Sequence, residues 1–240
     1  MNIQLEGISR QVKALVKWLW LSMRADRQEP TFVFHHLPRC GGTSLRQSIG
    51  ETKTAFSDYR IGWGGVYPLK YPINKLGTGD CLCGHFETEG YYLFQRYPEI
   101  ATNRRFRLFT FLRDPLDLSI SEYFYRLKND QEMDSSLLEY LLAQNNYLAR
   151  ILGVDRSNLR ERMDRYDFIG VVEKYEESLL GLSALMECNG LTLNRINGAE
   201  RNDLLNEITP EVKEKFKEQN SLDYLIYKYA IEKFDQTRQS

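Results

Sequence analysis

The chain predicts an α/β domain, a mostly parallel central sheet flanked by helices, and three observations lead there. Short apolar runs bounded by turn residues recur at 31–34, 80–84, 105–113 and 168–172, with the length and apolar content of buried strands. Segments with apolar residues at helical spacing stand between them, and strands alternating with helices imply parallel pairing with both faces covered. The first run passes through a polar turn and two glycines, Gly41 and Gly42, into a helix start at Thr43 and Ser44. At 240 residues, 42% hydrophobic and 12% aromatic, the chain is long enough to bury the core this fold needs.

Residues 1–28 read as a basic amphipathic helical extension, and residues 29–240 as the domain itself. VKALVKWLWLSM (12–23) is apolar at most positions, yet too short to span a bilayer and interrupted by Lys13 and Lys17. Trp18, Trp20, Arg10, Arg24 and Arg27 suit a helix lying on a membrane surface, on a partner or second copy, or on its own domain. Pro30 closes the extension before the first strand.

The helix opened at Thr43 runs to about 51. From 54 to 79 the pattern dissolves among Gly62, Gly64, Gly65, Pro68, Pro72, Gly77 and Gly79, and reads as a long loop. DCLCG (80–84) is a short strand with His85 just past its end, and 88–97 reads as helix. RFRLFTFLR (105–113) is the strongest strand signal and is expected in the centre of the sheet. Asp114 then caps a helix with Pro115 in its first turn, and Leu116, Ile120, Phe124 and Leu127 form its apolar face. Further helices are expected at 135–144, 146–152 and 158–166, a strand at 168–172, and a helix whose face carries Tyr175, Leu179, Leu182 and Met186. A last short strand is expected at 191–193, and 194–207 has no clear period. Pro210 starts a closing pair of helices with Leu222, Leu225, Ile226, Tyr229, Ala230 and Phe234 as the final apolar stripe.

A net charge of −1 with scattered Lys and Arg argues against a nucleic-acid partner, whose footprint is a concentrated basic surface. Cys40, Cys81, Cys83 and Cys188 show no two-residue gap of a zinc or redox motif, so they read as reduced thiols without a structural metal. No signal peptide is evident, and a cytoplasmic, bacterial-type location is expected ahead of a Golgi or membrane-associated one.

Ligands of open parallel sheets bind beyond the carboxyl ends of the strands, and here those ends carry Arg39 with Gly41 to Ser44, then His85, then Arg113 with Asp114. Glycines let backbone approach an oxyanion, and the amides of a new helix favour negative charge. The stretch resembles a P-loop lacking the lysine directly before Ser/Thr, because Gly42 stands there, so ordinary ATP or GTP chemistry is disfavoured. A tight turn using glycine for geometry alone is the competing reading. Arg113 at a strand end and Ser121 on the next helix can hold a second phosphate, or Arg113 can pair with Asp114 or Asp117. His35 and His36 end the first strand and receive no catalytic role. Glu173 either orients a loop or the histidine, or pairs with an arginine. Arg104, Arg105 and Arg107 either attract an anionic acceptor or are solvated, and Arg156, Arg160, Arg162 and Arg165 read as one charged helix face.

HHLPRCGGTSL (35–45) looks like the 5′-phosphosulfate loop, and LRDPLDLSISEYFY (112–125) like the 3′-phosphate segment, of sulfotransferases that use 3′-phosphoadenosine 5′-phosphosulfate (PAPS). GHF (84–86), NNYLARILG (145–153) and FIGVVEKYEESL (168–179) are similar to the Golgi-type carbohydrate sulfotransferases and their bacterial relatives, and the resemblance spans about 32 to 229. It implies a P-loop-like three-layer fold, with PAPS as co-substrate and no metal. Arg39, Cys40, Gly41, Gly42, Thr43 and Ser44 would hold the 5′-phosphosulfate, and Arg113 and Ser121 the 3′-phosphate. His85 would match the histidine base of the 2-O-sulfotransferases, with Arg39 also catalytic, and the acceptor would be a hydroxyl, expected on a glycan. Many members carry Lys where Arg39 stands, although tyrosylprotein sulfotransferases show Arg. A nucleoside-phosphate kinase and a non-catalytic adaptor docking through residues 12–23 are the alternatives.

Overall fold

Thr31, Phe32, Val33 and Phe34 pack into an apolar interior, and the strand they form, β1 (Thr31–His35), is buried along its whole length. This computed structural model describes residues 10–60, 66–129, 134–188, 191 and 203–237. Four more strands accompany β1 in the described sheet: β2 (Thr54–Asp58), β3 (Asp80–Gly84), β4 (Phe106–Leu112) and β5 (Phe168–Val171), in the order β2-β3-β1-β4-β5. Every pairing is parallel, with His35 opposite both Gly84 and Thr110, and Leu112 opposite Val171. The middle place belongs to β1, while β4 is an inner strand between β1 and β5. After β1 the chain moves toward β3 and β2, and after β4 toward β5. The order therefore reverses between the carboxyl ends of β1 and β4, where open α/β sheets take ligands.

The helices are α1 (Arg10–Ser22), α2 (Gly42–Thr52), α3 (Leu93–Arg96), α4 (Glu99–Thr102), α5 (Pro115–Lys128), α6 (Leu137–Leu142), α7 (Tyr147–Leu152), α8 (Leu159–Asp164), α9 (Tyr175–Leu185), α10 (Pro210–Gln219) and α11 (Ser221–Thr237). Asp114 caps α5 as its sequence announces, accepting from the amides of Leu116 and Asp117. α1 packs on its own domain: Leu21 is fully buried, the Trp18 indole donates to the Lys70 carbonyl at 2.9 Å, and Trp20 stacks on Phe56. Its outward side leaves Val12, Leu15, Val16, Leu19 and Met23 exposed. Residues 1–9 of the expected extension lie outside the described residues. No described helix is long and apolar enough to cross a membrane.

Several expectations are corrected. The stretch read as a loop from 54 to 79 begins with β2, whose single buried face, Phe56 and Asp58, gives too short an alternation to be recognised. The helix expected at 88–97 shrinks to α3, because Thr88 to Gly90 turn with Gly90 at φ 79°. Leu191 is not in a strand, while Thr192 and Leu193 lie outside the described residues. Within 194–207, Asp203–Glu207 form a short 3-10 helix, and 194–202 lie outside. Arg165 is no member of a solvated face: it is 4% exposed and donates to the carbonyls of Ile100, Asn103 and Phe106. Arg105 likewise donates to the carbonyls of Glu29, Ile73 and Leu76, at the end of the sheet opposite the expected site. All four cysteines are free thiols.

Candidate active site

Between β1 and α2 the chain turns through Pro38, Arg39, Cys40 and Gly41. Arg39 takes φ 60° and Gly41 φ 73°, both left-handed, and for arginine that conformation is strained. The turn holds the guanidinium against α5, where Arg39 Nε donates to Ser121 Oγ at 3.2 Å and its Cζ lies 4.4 Å from the centre of the Tyr125 ring. Arg113, just beyond β4, donates Nη1 to the Arg39 carbonyl at the long limit of 3.5 Å. The two segments singled out in the sequence thus meet at the reversal point of the sheet, on one side of it.

The glycines have a reason that the sequence alone does not reveal. A Cβ on Gly42 would lie 2.1 Å from the His36 ring, and one on Gly41 2.8 Å from the Tyr175 ring. Rings pack behind the loop where a side chain would start, so a Walker-type lysine has no place at 42. Thr43 is exposed and Ser44 half-buried at the start of α2, whose first turn has no side-chain cap. Its free amides and dipole favour an anion. The Cys40 side chain is buried, and burial pushes its thiol up to about 12, so this residue offers backbone only.

Two residues at the junction of β5 and α9 build the site from behind: Tyr175, read in the sequence only as part of a helix face, and Glu173, weighed there as orienting a loop. The Tyr175 hydroxyl donates to the Gly41 carbonyl at 3.0 Å. Glu173 accepts from the Asp114 amide at 2.9 Å and from the Tyr227 hydroxyl at 2.7 Å. Glu173 therefore orients the loop after β4, in place of the arginine pairing or histidine contact weighed for it. The signal was the FIGVVEKYEESL segment itself.

His85 lies past β3 with its ring centre 4.3 Å from that of His36 and 4.7 Å from that of Tyr59, edge-on to both. His36 Nδ1 and the Tyr59 hydroxyl are 2.9 Å apart. Because His36 covers Gly42, His85 is one ring removed from the glycine loop. Burial first, and then the positive charge of Arg46, pull His85 down to about 4, so its imidazole is neutral near pH 7. Its Nε2 is a buried polar atom without a hydrogen-bond partner among the described residues. His35, by contrast, points into the core, with Nδ1 2.8 Å from the Tyr166 hydroxyl, and burial pulls it down to about 3.

No family model matches the chain, and no curated protein does. It is similar to two solved sulfotransferases. The enzyme from Alicyclobacillus acidocaldarius aligns over 84% of this chain and 97% of its own, at 14% identity and a TM-score of 0.48. Mouse sulfotransferase SULT7A1, complexed with PAP, aligns over 89% of this chain and 93% of its own, also at 14% identity and 0.48. At these values neither likeness bears on which residues act, or on what they act.

Proposed function

We propose that the chain transfers a sulfuryl group from PAPS to a hydroxyl, on a carbohydrate acceptor. The observation that carries this reading is the Arg39–Ser121 hydrogen bond, which brings together the two segments read as holding the 5′ and 3′ ends of the nucleotide. Three features fit a nucleotide with anionic groups at both ends. Arg39 and Arg113 have no ion-pair partner among the described residues, the first turn of α2 has no side-chain cap, and the Thr43 hydroxyl side chain is exposed. PAPS would supply the sulfuryl group and the nucleotide that leaves.

Sulfuryl transfer resembles phosphoryl transfer, so the protein's part is positioning and charge stabilisation. Arg39, Thr43, Ser44 and the α2 amides would hold the 5′ end, with Arg39 offsetting the charge that grows on the leaving oxygen. Arg113 and Ser121 would hold the 3′-phosphate. His85 would accept the acceptor's proton. A free-state value near 4 makes it a weak base, and an anion placed on the neighbouring loop would raise it toward the useful range.

The test is transfer of labelled sulfate from PAPS by the full chain to a panel of glycans and simple alcohols. Label on a hydroxyl is expected. PAP binding without transfer to any of a wide panel would leave the chain a nucleotide-binding adaptor, and preference for Mg·ATP over PAP would favour a kinase.

A further inference from the structure

Pro38 and Arg39, with residues of α5, α6 and α7, line a cavity of about 120 Å³. Arg39, Arg126 and Arg150 line it with one carboxylate, Glu122, and the rings of Tyr140 and Tyr147 complete its walls. Glu122 is taken up by Arg126, whose Nε lies 2.9 Å from Oε1. Arg150 is exposed, sits 5.7 Å from the Tyr147 ring centre, and pairs with no carboxylate among the described residues. With Arg39 turned to the nucleotide, two guanidiniums against one carboxylate still leave the cavity positive.

The helix that carries Tyr147 and Arg150 is fixed in place. Asp223 accepts from the amides of Leu148 and Ala149 at 2.9 and 2.8 Å. Asn146 in turn accepts from Leu222 and Asp223, and its own amide donates to Asn220. The NNYLARILG segment thus presents Tyr147 and Arg150 from a braced helix start, which makes this wall a preformed surface. On its far side the Tyr147 hydroxyl donates to Glu87, two residues beyond His85. The cavity therefore lies between the Arg39 loop and the segment that carries the proposed base.

Resting on the sulfotransferase reading, we propose that this cavity binds an anionic substituent of the acceptor, a carboxylate or sulfate, through Arg150 and Arg126, with the sugar ring against Tyr140 and Tyr147. The volume decides how much of the acceptor enters: pockets for whole small ligands run from about 300 Å³ upward, so this one takes a charged group and the edge of its ring. Guanidinium suits either group because its planar fork matches both oxyanions. Acceptor choice would then depend on charge beside the reacting hydroxyl.

Methyl glucuronide, methyl glucoside 6-sulfate and methyl glucoside differ only at this substituent and serve as probes for calorimetry on the full chain in the presence of PAP. At least one anionic sugar should bind roughly tenfold or more tighter than the neutral one, a hydrogen bond to a charged group being worth about 1.5–3 kcal/mol. Whichever of the two binds tighter identifies the group. Arg150→Gln, at an exposed position that leaves folding undisturbed, should abolish most of that preference while PAP affinity stays within about twofold. Equal affinity for all three sugars overturns the proposal, including no measurable binding of any. A drop in PAP affinity matching the drop in sugar affinity also overturns it, because the cavity would then belong to the nucleotide. Loss of PAP binding by the unmodified chain with the sugar preference intact would sink the PAPS reading and leave the anion cavity standing.

Discussion

Arg96 and Arg113 both reach the carboxyl edge of the sheet, and their surroundings are opposite. Arg96, 9% exposed, meets Asp58 at the end of β2 through two bonds of 2.6 and 3.0 Å, with Tyr97 donating to the same carboxylate. Arg113 is half-buried, faces the Arg39 carbonyl and has no carboxylate in ion-pair range among the described residues. A guanidinium whose charge is answered inside the protein holds the fold. One left unanswered beside another of the same sign is positioned for an anion from outside. On the proposed reading, the difference separates a structural charge from one left for a ligand on the same edge.

The largest expected effect belongs to the paired arginine. Arg96→Ala strands a buried carboxylate and should lower unfolding free energy by about 3–5 kcal/mol, read as a shift of the urea midpoint. Arg113→Ala should move that midpoint by less than about 0.5 kcal/mol. Equal losses in the two variants would erase the distinction.

A second contrast separates two histidines. His85→Ala should lower kcat by about 10²- to 10⁴-fold with PAP affinity nearly unchanged, whereas His35, embedded beside Tyr166, has no way to act on a substrate. An unchanged kcat would remove His85 from the reaction.

Both histidines titrate below their ordinary value of 6.5, at about 4 for His85 and about 3 for His35. Below pH 6.5 the unfolded chain takes up protons that the folded chain refuses. Their contribution is therefore complete above that pH and is lost as pH falls, by up to about 1.4 kcal/mol per pH unit for each. Denaturation midpoints between pH 6.5 and 4 should show it, and His85→Gln should flatten the slope by close to one proton. An unaltered slope would mean that His85 is protonated in the folded protein.

Much of this was legible in the sequence. The runs of β1, β3, β4 and β5 are continuous and apolar, because strands covered on both faces leave no polar alternation to blur them. Arg39, Arg113 and Ser121 were named as candidates from their segments' place at strand ends, and the structure brings the three together. β2 escaped because TAFSD, at the edge, buries only Phe56 and Asp58. Tyr175 escaped, and Glu173 was left among alternatives, because they act on loops more than fifty residues away in sequence, and only the parallel pairing of the strands brings them there. The ring of His36 behind Gly42 comes from only six residues away, but the folding-back of the turn that puts it there is not visible in a motif that reads simply as glycine-rich.

The smallest effect concerns backbone strain at Arg39, φ 60°. Arg39→Gly should be more stable than Arg39→Ala by about 1–2 kcal/mol, since only glycine adopts a left-handed turn freely, while both weaken PAP binding. Equal stability of the two would show that the turn relaxes once the guanidinium is gone.

The most direct measurement compares PAP with adenosine 5′-monophosphate, which lacks the 3′-phosphate, by calorimetry on the unmodified chain and on Arg113→Ala. PAP should bind about 10- to 100-fold tighter to the unmodified chain, and Arg113→Ala should erase most of that advantage while leaving the monophosphate's affinity unchanged. Equal affinity of the two nucleotides, or an advantage that survives the loss of the guanidinium, would contradict a site that grips both ends of one nucleotide.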